Sequence, residues 1–164
     1  MDTTDLFEGM EPLDPAIRKV WRVKFALLGS IVLIGAIVYD VSNIFDGDRT
    51  LALGLAPSIV LLIFTGLVVW IPGFRYRSWA FRLTDQELLL QRGILNRVRT
   101  IVPLRRVQHL DVSQDMVERE FGLSKLIVHT AGTRSSEVVL PGLRLEVAES
   151  LRDRIKAYIT DDVL

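Results

Sequence analysis

The stretch LALGLAPSIVLLIFTGLVVWI, residues 51–71, has 21 consecutive residues without a charged side chain. At 1.5 Å per residue, a helix of this length covers about 30 Å, the thickness of the hydrocarbon core of a bilayer. The stretch has no polar face, whereas a helix of a soluble protein normally has one. It therefore predicts a transmembrane helix.

A second apolar run, FALLGSIVLIGAIVY at residues 25–39, precedes this stretch and also lacks charge. Two spans, at about residues 21–40 and 51–71, then form a transmembrane helical hairpin within residues 15–72. The alternative is a pair of buried helices in a soluble bundle. A cleaved signal peptide is disfavoured because the first run follows an acidic stretch and has no small-residue cleavage site.

Charges are sorted along the chain, although the formal net charge is zero. Residues 1–14 contain five acids and no base, and we expect a disordered tail there. The connection at residues 40–50 has three acids and one base. Bases flank the outer ends of the two spans as juxtamembrane anchors, namely Arg18, Lys19, Arg22, Lys24, Arg75 and Arg77. The positive-inside rule therefore predicts a multi-pass protein of the inner (cytoplasmic) membrane with both termini in the cytoplasm.

Short alternating segments follow the spans and predict an antiparallel sheet. The six predicted strands are residues 79–84, 87–93, 97–104, 107–114, 125–131 and 136–141, with the last two joined across Gly132, Thr133 and Arg134. Asp115 and Glu118 have the spacing of a capping box at the start of a short helix. Residues 145–159 have one apolar stripe, which indicates a helix laid against the sheet. This order predicts an α+β or barrel-like domain.

Several motifs of this domain resemble one known family, the bacterial membrane-flanked domain family, whose soluble part is similar to a pleckstrin-homology (PH) domain. They are LTDQELLLQRGIL (83–95), VPLRRVQHLDVSQ (102–114), EREFGL (118–123), VHTAG (128–132) and LPGL (140–143). The resemblance covers residues 75–160, and the helical hairpin by architecture. It implies a two-helix transmembrane hairpin plus an α+β PH-like antiparallel barrel with a C-terminal capping helix. It also implies no enzymatic activity, no cofactor, and pairing of small two-span members with a larger multi-domain relative.

The segment RGILNRVRTIVPLRR, residues 92–106, contains five arginines and no acid. We expect a basic patch that faces lipid or a partner, formed by Arg92, Arg97, Arg99, Arg105 and Arg106. The alternative is a solvated sheet face, and nucleic acid is disfavoured because aromatic side chains for base stacking are missing. PH domains that bind phosphoinositides place bases around the first hairpin turn. Here that turn, residues 84–86, is acidic, which argues against specific phosphoinositide recognition.

His109 and Asp111 share one face of a predicted strand, and His129 lies on another strand. Such residues can form a base or gather around a metal, but we favour a cross-strand hydrogen-bonding group that fixes the register. A nucleophile with an oxyanion site, a Gly-rich phosphate loop and a close-spaced metal motif are all missing from the sequence. The lack of cysteine excludes disulfides and thiolate metal sites. We therefore predict no catalytic, cofactor-binding or metal-binding residues.

The sequence as a whole predicts a non-enzymatic interaction module at the cytoplasmic membrane face. Its expected partners are the lipid bilayer and another integral membrane protein, such as a larger multi-domain relative, with a homo-oligomer as an alternative and no nucleic acid. Four small residues in the spans either allow such pairing or reflect the ordinary tolerance of glycine in membrane helices, namely Gly29, Ser30, Gly35 and Gly66. The alternative function is a subunit of an envelope-stress system, or of a system for resistance to or export of amphiphiles and antimicrobial peptides.

Overall fold

The computed structural model describes residues 9–45, 54–131 and 137–161. The chain divides into two compact units, Arg18–Gly73 and Met1–Ile17 with Phe74–Leu164. The first is a helical hairpin. The second contains two antiparallel sheets and a C-terminal helix.

Two long helices, α1 (Ile17–Phe45) and α2 (Leu55–Ser78), contain the apolar runs. Their most apolar 18-residue windows have mean hydropathies of 2.0 and 2.2, and only 6% of each window is buried. A core helix of a soluble protein is mostly buried, so the exposure of these windows disfavours the soluble-bundle alternative. Exposed apolar helices of this length instead suit a bilayer.

α1 extends beyond its predicted span, residues 21–40, at both ends, whereas α2 begins at Leu55 and extends beyond its span, residues 51–71, only at its C-terminal end. Asp14 precedes α1, which begins at Ile17, and its carboxylate accepts a hydrogen bond of 2.8 Å from the backbone N–H of Ala16. Asp40 lies inside α1 rather than in the connection, and its carboxylate accepts a 2.8 Å hydrogen bond from the Gly54 N–H. The helical unit ends at Gly73, beside the predicted end of the hairpin at residue 72, but α2 itself continues through Pro72 to Ser78. A proline removes one helical hydrogen bond, and membrane helices tolerate this loss.

The second unit has seven strands in its described residues, in two antiparallel sheets ordered β1-β2-β3-β4 and β5-β6-β7. The first sheet comprises β1 (Glu11–Pro12), β2 (Ala80–Leu83), β3 (Glu87–Arg92) and β4 (Val98–Pro103), and the second comprises β5 (Val107–Ser113), β6 (Leu123–Thr130) and β7 (Glu137–Arg144). A 3₁₀ turn, Leu104–Arg106, joins the sheets. The short helix α3 (Met116–Glu120) precedes β6, and α4 (Leu145–Asp161) follows β7. The predicted turn at residues 132–134 lies outside the described residues.

The core of this unit is built from the inward-facing side chains of the strands and from one stripe of α4. Trp79 and Phe81 are both buried, as the predicted alternation requires. The stripe of α4 is also confirmed, and its buried members are Ala148, Leu151 and Ile155. This helix contacts β5, β6 and β7. Burial of this stripe holds the C-terminal helix against the sheet.

The prediction of a disordered tail through residue 14 is wrong for residues 11–14. Residues 11–12 form β1 and pair with β2, and Leu13 is 1% exposed. The Asp14 N–H donates a 2.9 Å hydrogen bond to the carbonyl of Gly142, and Arg144 Nε donates a 2.9 Å hydrogen bond to the Asp14 carboxylate. The acidic composition suggested disorder, but one leucine and one paired aspartate dock this segment on the sheets.

The capping box before α3 is confirmed. Asp115 Oδ1 accepts a 2.8 Å hydrogen bond from the Glu118 N–H, and Glu118 Oε2 accepts one of 3.1 Å from the Asp115 N–H. These reciprocal bonds satisfy two backbone donors of a helix that is too short to be stable alone. Glu118 is consequently buried, with 4% of its surface exposed.

Candidate interaction surface

Residues 93–97, which we call the hairpin tip, connect β3 to β4. Gly93 has φ +110°, and a Cβ at this position would collide with the carbonyl oxygen of Asn96. The turn therefore requires glycine, which populates positive φ freely. The tight turn leaves two large apolar side chains in solvent, because Ile94 is 50% and Leu95 is 101% exposed.

The structure separates the predicted basic patch into two groups. Arg92, Arg97 and Arg99 lie at or beside the hairpin tip, and all three are exposed. In the sheet, Arg92 pairs with Val98 and Gln91 pairs with Arg99. Arg99 Nε also donates a 3.3 Å hydrogen bond to the Gln91 side chain. These three arginines, with no acid between residues 92 and 106, form a positively charged end of the sheet.

The other two arginines, Arg105 and Arg106, lie on the 3₁₀ turn after β4, and both are exposed. The six residues of β4 separate them from the hairpin tip, which at 3.3 Å per residue is about 20 Å. Acidic residues are close to this turn, since Glu87 pairs with Pro103 and Leu104 N–H donates to the carbonyl of Gln86, beside Asp85. The five arginines are therefore not one continuous patch.

The register of the first sheet shows at which end of the sheet the chain arrives from α2. Ala80, two residues after the end of α2, pairs with Gln91. The end of the sheet at which the chain arrives from α2 is therefore the end that carries the hairpin tip. The turn with Arg105 and Arg106 lies at the opposite end.

The predicted juxtamembrane anchors lie on the first two turns of α1 and the last two turns of α2. Arg18, Lys19, Arg22 and Arg77 are exposed, whereas Lys24 and Arg75 are half-buried. No sequence signal distinguishes these two, because burial depends on neighbouring elements. Their roles as anchors stay a prediction.

The two histidines and Asp111 come together on the outer face of the second sheet. His109 pairs directly with His129, their ring centroids are 5.7 Å apart, and the Asp111 carboxylate lies 2.9 Å from His109 Nε2 and 3.3 Å from His129 Nε2. Among the described residues, no group of His, Cys, Asp and Glu side chains is arranged to hold a metal ion. The cluster is a carboxylate that bridges two imidazoles across two strands, and its role in fixing the register stays a prediction.

In the helical unit, α1 and α2 approach closely and leave a shallow groove of about 260 Å³. A Cβ at Gly29 would lie 2.7 Å from Phe64 Cδ1, so the approach requires glycine there. The groove is lined mostly by small and aliphatic side chains, including Ala26, Ser30 and Thr65. Small residues at such positions allow membrane helices to pack at short distance. Gly35 and Gly66, by contrast, have open space around them.

Comparison with known proteins identifies relatives along most of the chain. Residues 23–159 match the model of the family described as Bacterial PH domain. The chain is 32% identical over 152 residues to the UPF0699 transmembrane protein YdbS of Bacillus subtilis, which covers 92% of this chain and 94% of that protein. It is 25% identical over 105 residues to the UPF0699 transmembrane protein YdbT of the same organism. That alignment covers 63% of this chain but only 20% of YdbT.

A solved structure is also similar, that of a DUF1696 family protein with a pleckstrin-homology domain from Shewanella loihica. The identity is 16%, the TM-score is 0.39, and the match covers 52% of this chain and 74% of that one. The resemblance identified in the sequence is confirmed by the family match, which includes most of α1, all of α2, strands β2 to β7 and most of α4. With two exposed apolar helices and a transmembrane relative of matching length, this chain is a membrane protein that belongs to the Bacterial PH domain family.

Proposed function

We propose that this protein is a non-enzymatic, membrane-anchored interaction module whose PH-like domain binds another integral membrane protein. The observation that carries this proposal is the direct junction between helix and sheet. α2 ends at Ser78 and β2 begins at Ala80, and Trp79 between them is only 8% exposed. This short connection tethers the domain to its anchor, and a short tether raises the effective concentration of partners that are themselves in the membrane.

The distribution of basic residues supports a cytoplasmic domain and cytoplasmic termini. Bases flank both outer ends of the helical hairpin, whereas the connection at residues 40–50 has three acids and one base. Basic residues in short flanking segments are retained on the cytoplasmic side. The domain then faces the cytoplasm from the inner membrane.

We assign Arg105 and Arg106 to the partner protein rather than to lipid. They lie about 20 Å along β4 from the end of the sheet where the chain arrives from α2. This distance is more than two Debye lengths at physiological salt, so salt screens the attraction between these arginines and lipid charges near that end. Neighbouring acids, Asp85 and Glu87, would also repel an anionic leaflet. A protein with interspersed charges suits such a surface better, because it can place an acidic side chain against each arginine.

A larger relative of the same family is the partner that we favour. The match to the longer UPF0699 protein of Bacillus subtilis covers 63% of this chain. It covers only 20% of the longer protein. One bacterium therefore contains both a short and a long protein similar to this chain. That occurrence supports a pair formed by a short and a long member.

A non-enzymatic role is supported by the exposure of the only His–Asp cluster in the described residues. The side chains of His109 and Asp111 are 68% and 48% exposed. Catalytic acid–base groups usually lie in cavities that exclude water and strengthen electrostatic interactions. A cluster on an open sheet face has neither advantage.

The test is purification of the tagged full-length protein in mild detergent, with identification and quantification of the proteins that co-purify. We expect a stoichiometric integral membrane protein. The double variant Arg105→Glu and Arg106→Glu should reduce its recovery at least tenfold, while the control double variant Arg119→Glu and Arg154→Glu, also at exposed arginines of the domain, should leave it unchanged.

Two results would contradict the proposal. One is a preparation containing only this chain with a tightly held small molecule, which would favour a ligand-binding or catalytic function. The other is equal recovery of the partner with the Arg105 and Arg106 variant and with wild type, which would remove these residues from the interface. A mass that is a multiple of the chain alone would identify the homo-oligomer.

A further inference from the structure

The hairpin tip exposes more apolar surface than its role as a turn requires. Leu95 is fully exposed and Ile94 is half exposed, and Val98, the first residue of β4, is 39% exposed. Single exposed apolar residues are normal on soluble proteins, but a contiguous group marks a contact surface. A hairpin connection needs only small or polar residues, so the geometry of the connection at residues 93–97 does not explain isoleucine and leucine.

Positive charge surrounds this apolar group. Arg92 and Arg97 flank the hairpin tip in sequence, and Arg99 follows on β4. An apolar centre with a basic rim complements an anionic lipid leaflet, since the aliphatic side chains enter the acyl boundary and the guanidinium groups remain at the phosphates. The turn with Arg105 and Arg106 differs, because acids lie next to it.

The hairpin tip is also within reach of the bilayer along the chain. From Ser78 to Ala80 the chain spans at most about 7 Å, the cross-strand step from Ala80 to Gln91 is about 5 Å, and four further residues lead to Leu95. Their sum limits the separation of Ser78 and Leu95 to about 25 Å. Ser78 lies seven residues beyond the uncharged run that ends at Ile71, which is about 10 Å of helix.

We propose that the hairpin tip inserts Ile94 and Leu95 into the anionic lipid leaflet, with Arg92, Arg97 and Arg99 on the headgroups, as a third membrane contact of this protein. This inference rests on the membrane anchoring and cytoplasmic orientation in the proposed function but not on the partner protein. Insertion fixes the orientation of the PH-like domain against the membrane. Each arginine near an anionic surface raises the equilibrium constant for membrane contact of the hairpin tip roughly fivefold. Burial of one leucine raises the same constant roughly tenfold or more.

The experiment uses the purified full-length chain in lipid nanodiscs, which expose both sides of the bilayer. The chain has no cysteine, so Leu95→Cys introduces a unique thiol whose alkylation by a charged, water-soluble maleimide reports immersion. Met116→Cys is the matched control, because Met116 is an apolar residue that is 80% exposed on α3, which connects two strands of the other sheet. Nanodiscs contain either phosphatidylcholine alone or phosphatidylcholine with 40% phosphatidylglycerol.

In anionic nanodiscs we expect the thiol of Leu95→Cys to react at least tenfold more slowly than the thiol of Met116→Cys. In neutral nanodiscs, or after Arg92→Glu and Arg97→Glu are added, the two rates should converge. Equal rates in anionic nanodiscs would overturn the proposal. Protection of Leu95→Cys in native membranes but not in nanodiscs would also overturn it, because a protein would then be the occupant of the hairpin tip.

Failure of this proposal and failure of the proposed function give different results. Nanodiscs contain no partner protein, so the alkylation rates do not depend on partner binding. Co-purification in detergent depends on Arg105 and Arg106, which lie at the other end of the sheet. As a second readout, Leu95→Ser should make the domain more accessible to trypsin in anionic nanodiscs, while Met116→Ser should not.

Discussion

Leu13 provides the most direct test of how the N-terminal segment is arranged. It lies in a strongly acidic stretch that composition assigns to a disordered tail, yet its side chain is 1% exposed. Leu13→Ala removes three carbon atoms from the core of the PH-like unit. At about 0.8 kcal/mol for each buried carbon, the loss of transfer free energy is about 2.4 kcal/mol. A residual cavity raises the expected destabilisation to about 3 kcal/mol.

Urea-dependent pulse proteolysis of the full-length protein in detergent measures this loss. With a slope of about 1.5 kcal/mol per molar urea, the midpoint for cleavage of the domain should fall by about 2 M. Glu11→Ala is the control from the same segment, because Glu11 is exposed and its replacement should shift the midpoint by less than about 0.3 M. If Leu13→Ala behaves like Glu11→Ala, the segment does not pack against the domain and our account of residues 11–14 is wrong.

Three further substitutions test other contacts. Asp115→Ala removes the capping box of α3 and should destabilise the domain by about 1 kcal/mol in the same proteolysis assay. Gly93→Ala places a Cβ against a backbone carbonyl at positive φ and should cost about 1–3 kcal/mol, again as a lower urea midpoint. Gly29→Leu forces a side chain against Phe64 and should lower the thermal midpoint of the helical hairpin in detergent, followed by circular dichroism, whereas Gly35→Leu, at a position with open space, should not.

Each of these has an outcome that would oppose its reasoning. An unchanged urea midpoint for Asp115→Ala would mean that solvent replaces the cap without loss. Full stability of Gly93→Ala would show that the turn can adopt another geometry. Equal thermal midpoints for the two glycine variants would show that the helices do not approach each other at Gly29.

Local signals in the sequence predicted most elements of the fold. Alternating apolar residues placed β2 to β5 within one residue at every end, and the capping box marked the start of α3. These predictions succeed because strand alternation and helix capping depend on neighbouring residues. Strand β1 was missed because two residues have no periodicity, and it exists only because β2 offers an unpaired edge.

The candidate surface was predicted only in part. Composition identified five arginines, but charge counting along the chain could not separate Arg99 from Arg105. The register of β3 with β4 places them at opposite ends of the sheet. The apolar character of Ile94 and Leu95 was also overlooked, since apolar residues between strands are usually assigned to the core. The one available signal was their position between Gly93 and Asn96, which marks them as part of a turn.

The amino-acid sequence by itself determined that this protein has two membrane-spanning helices and a PH-like domain of strands followed by a helix. Hydrophobic length, alternation and capping are properties of consecutive residues, so they can be read without coordinates. Only the tertiary structure decided that residues 11–14 dock on the domain, that the arginines form two groups, and that the apolar hairpin tip lies at the end where α2 enters. Those features depend on which strands pair and in which register, and pairing joins residues that are distant in the chain.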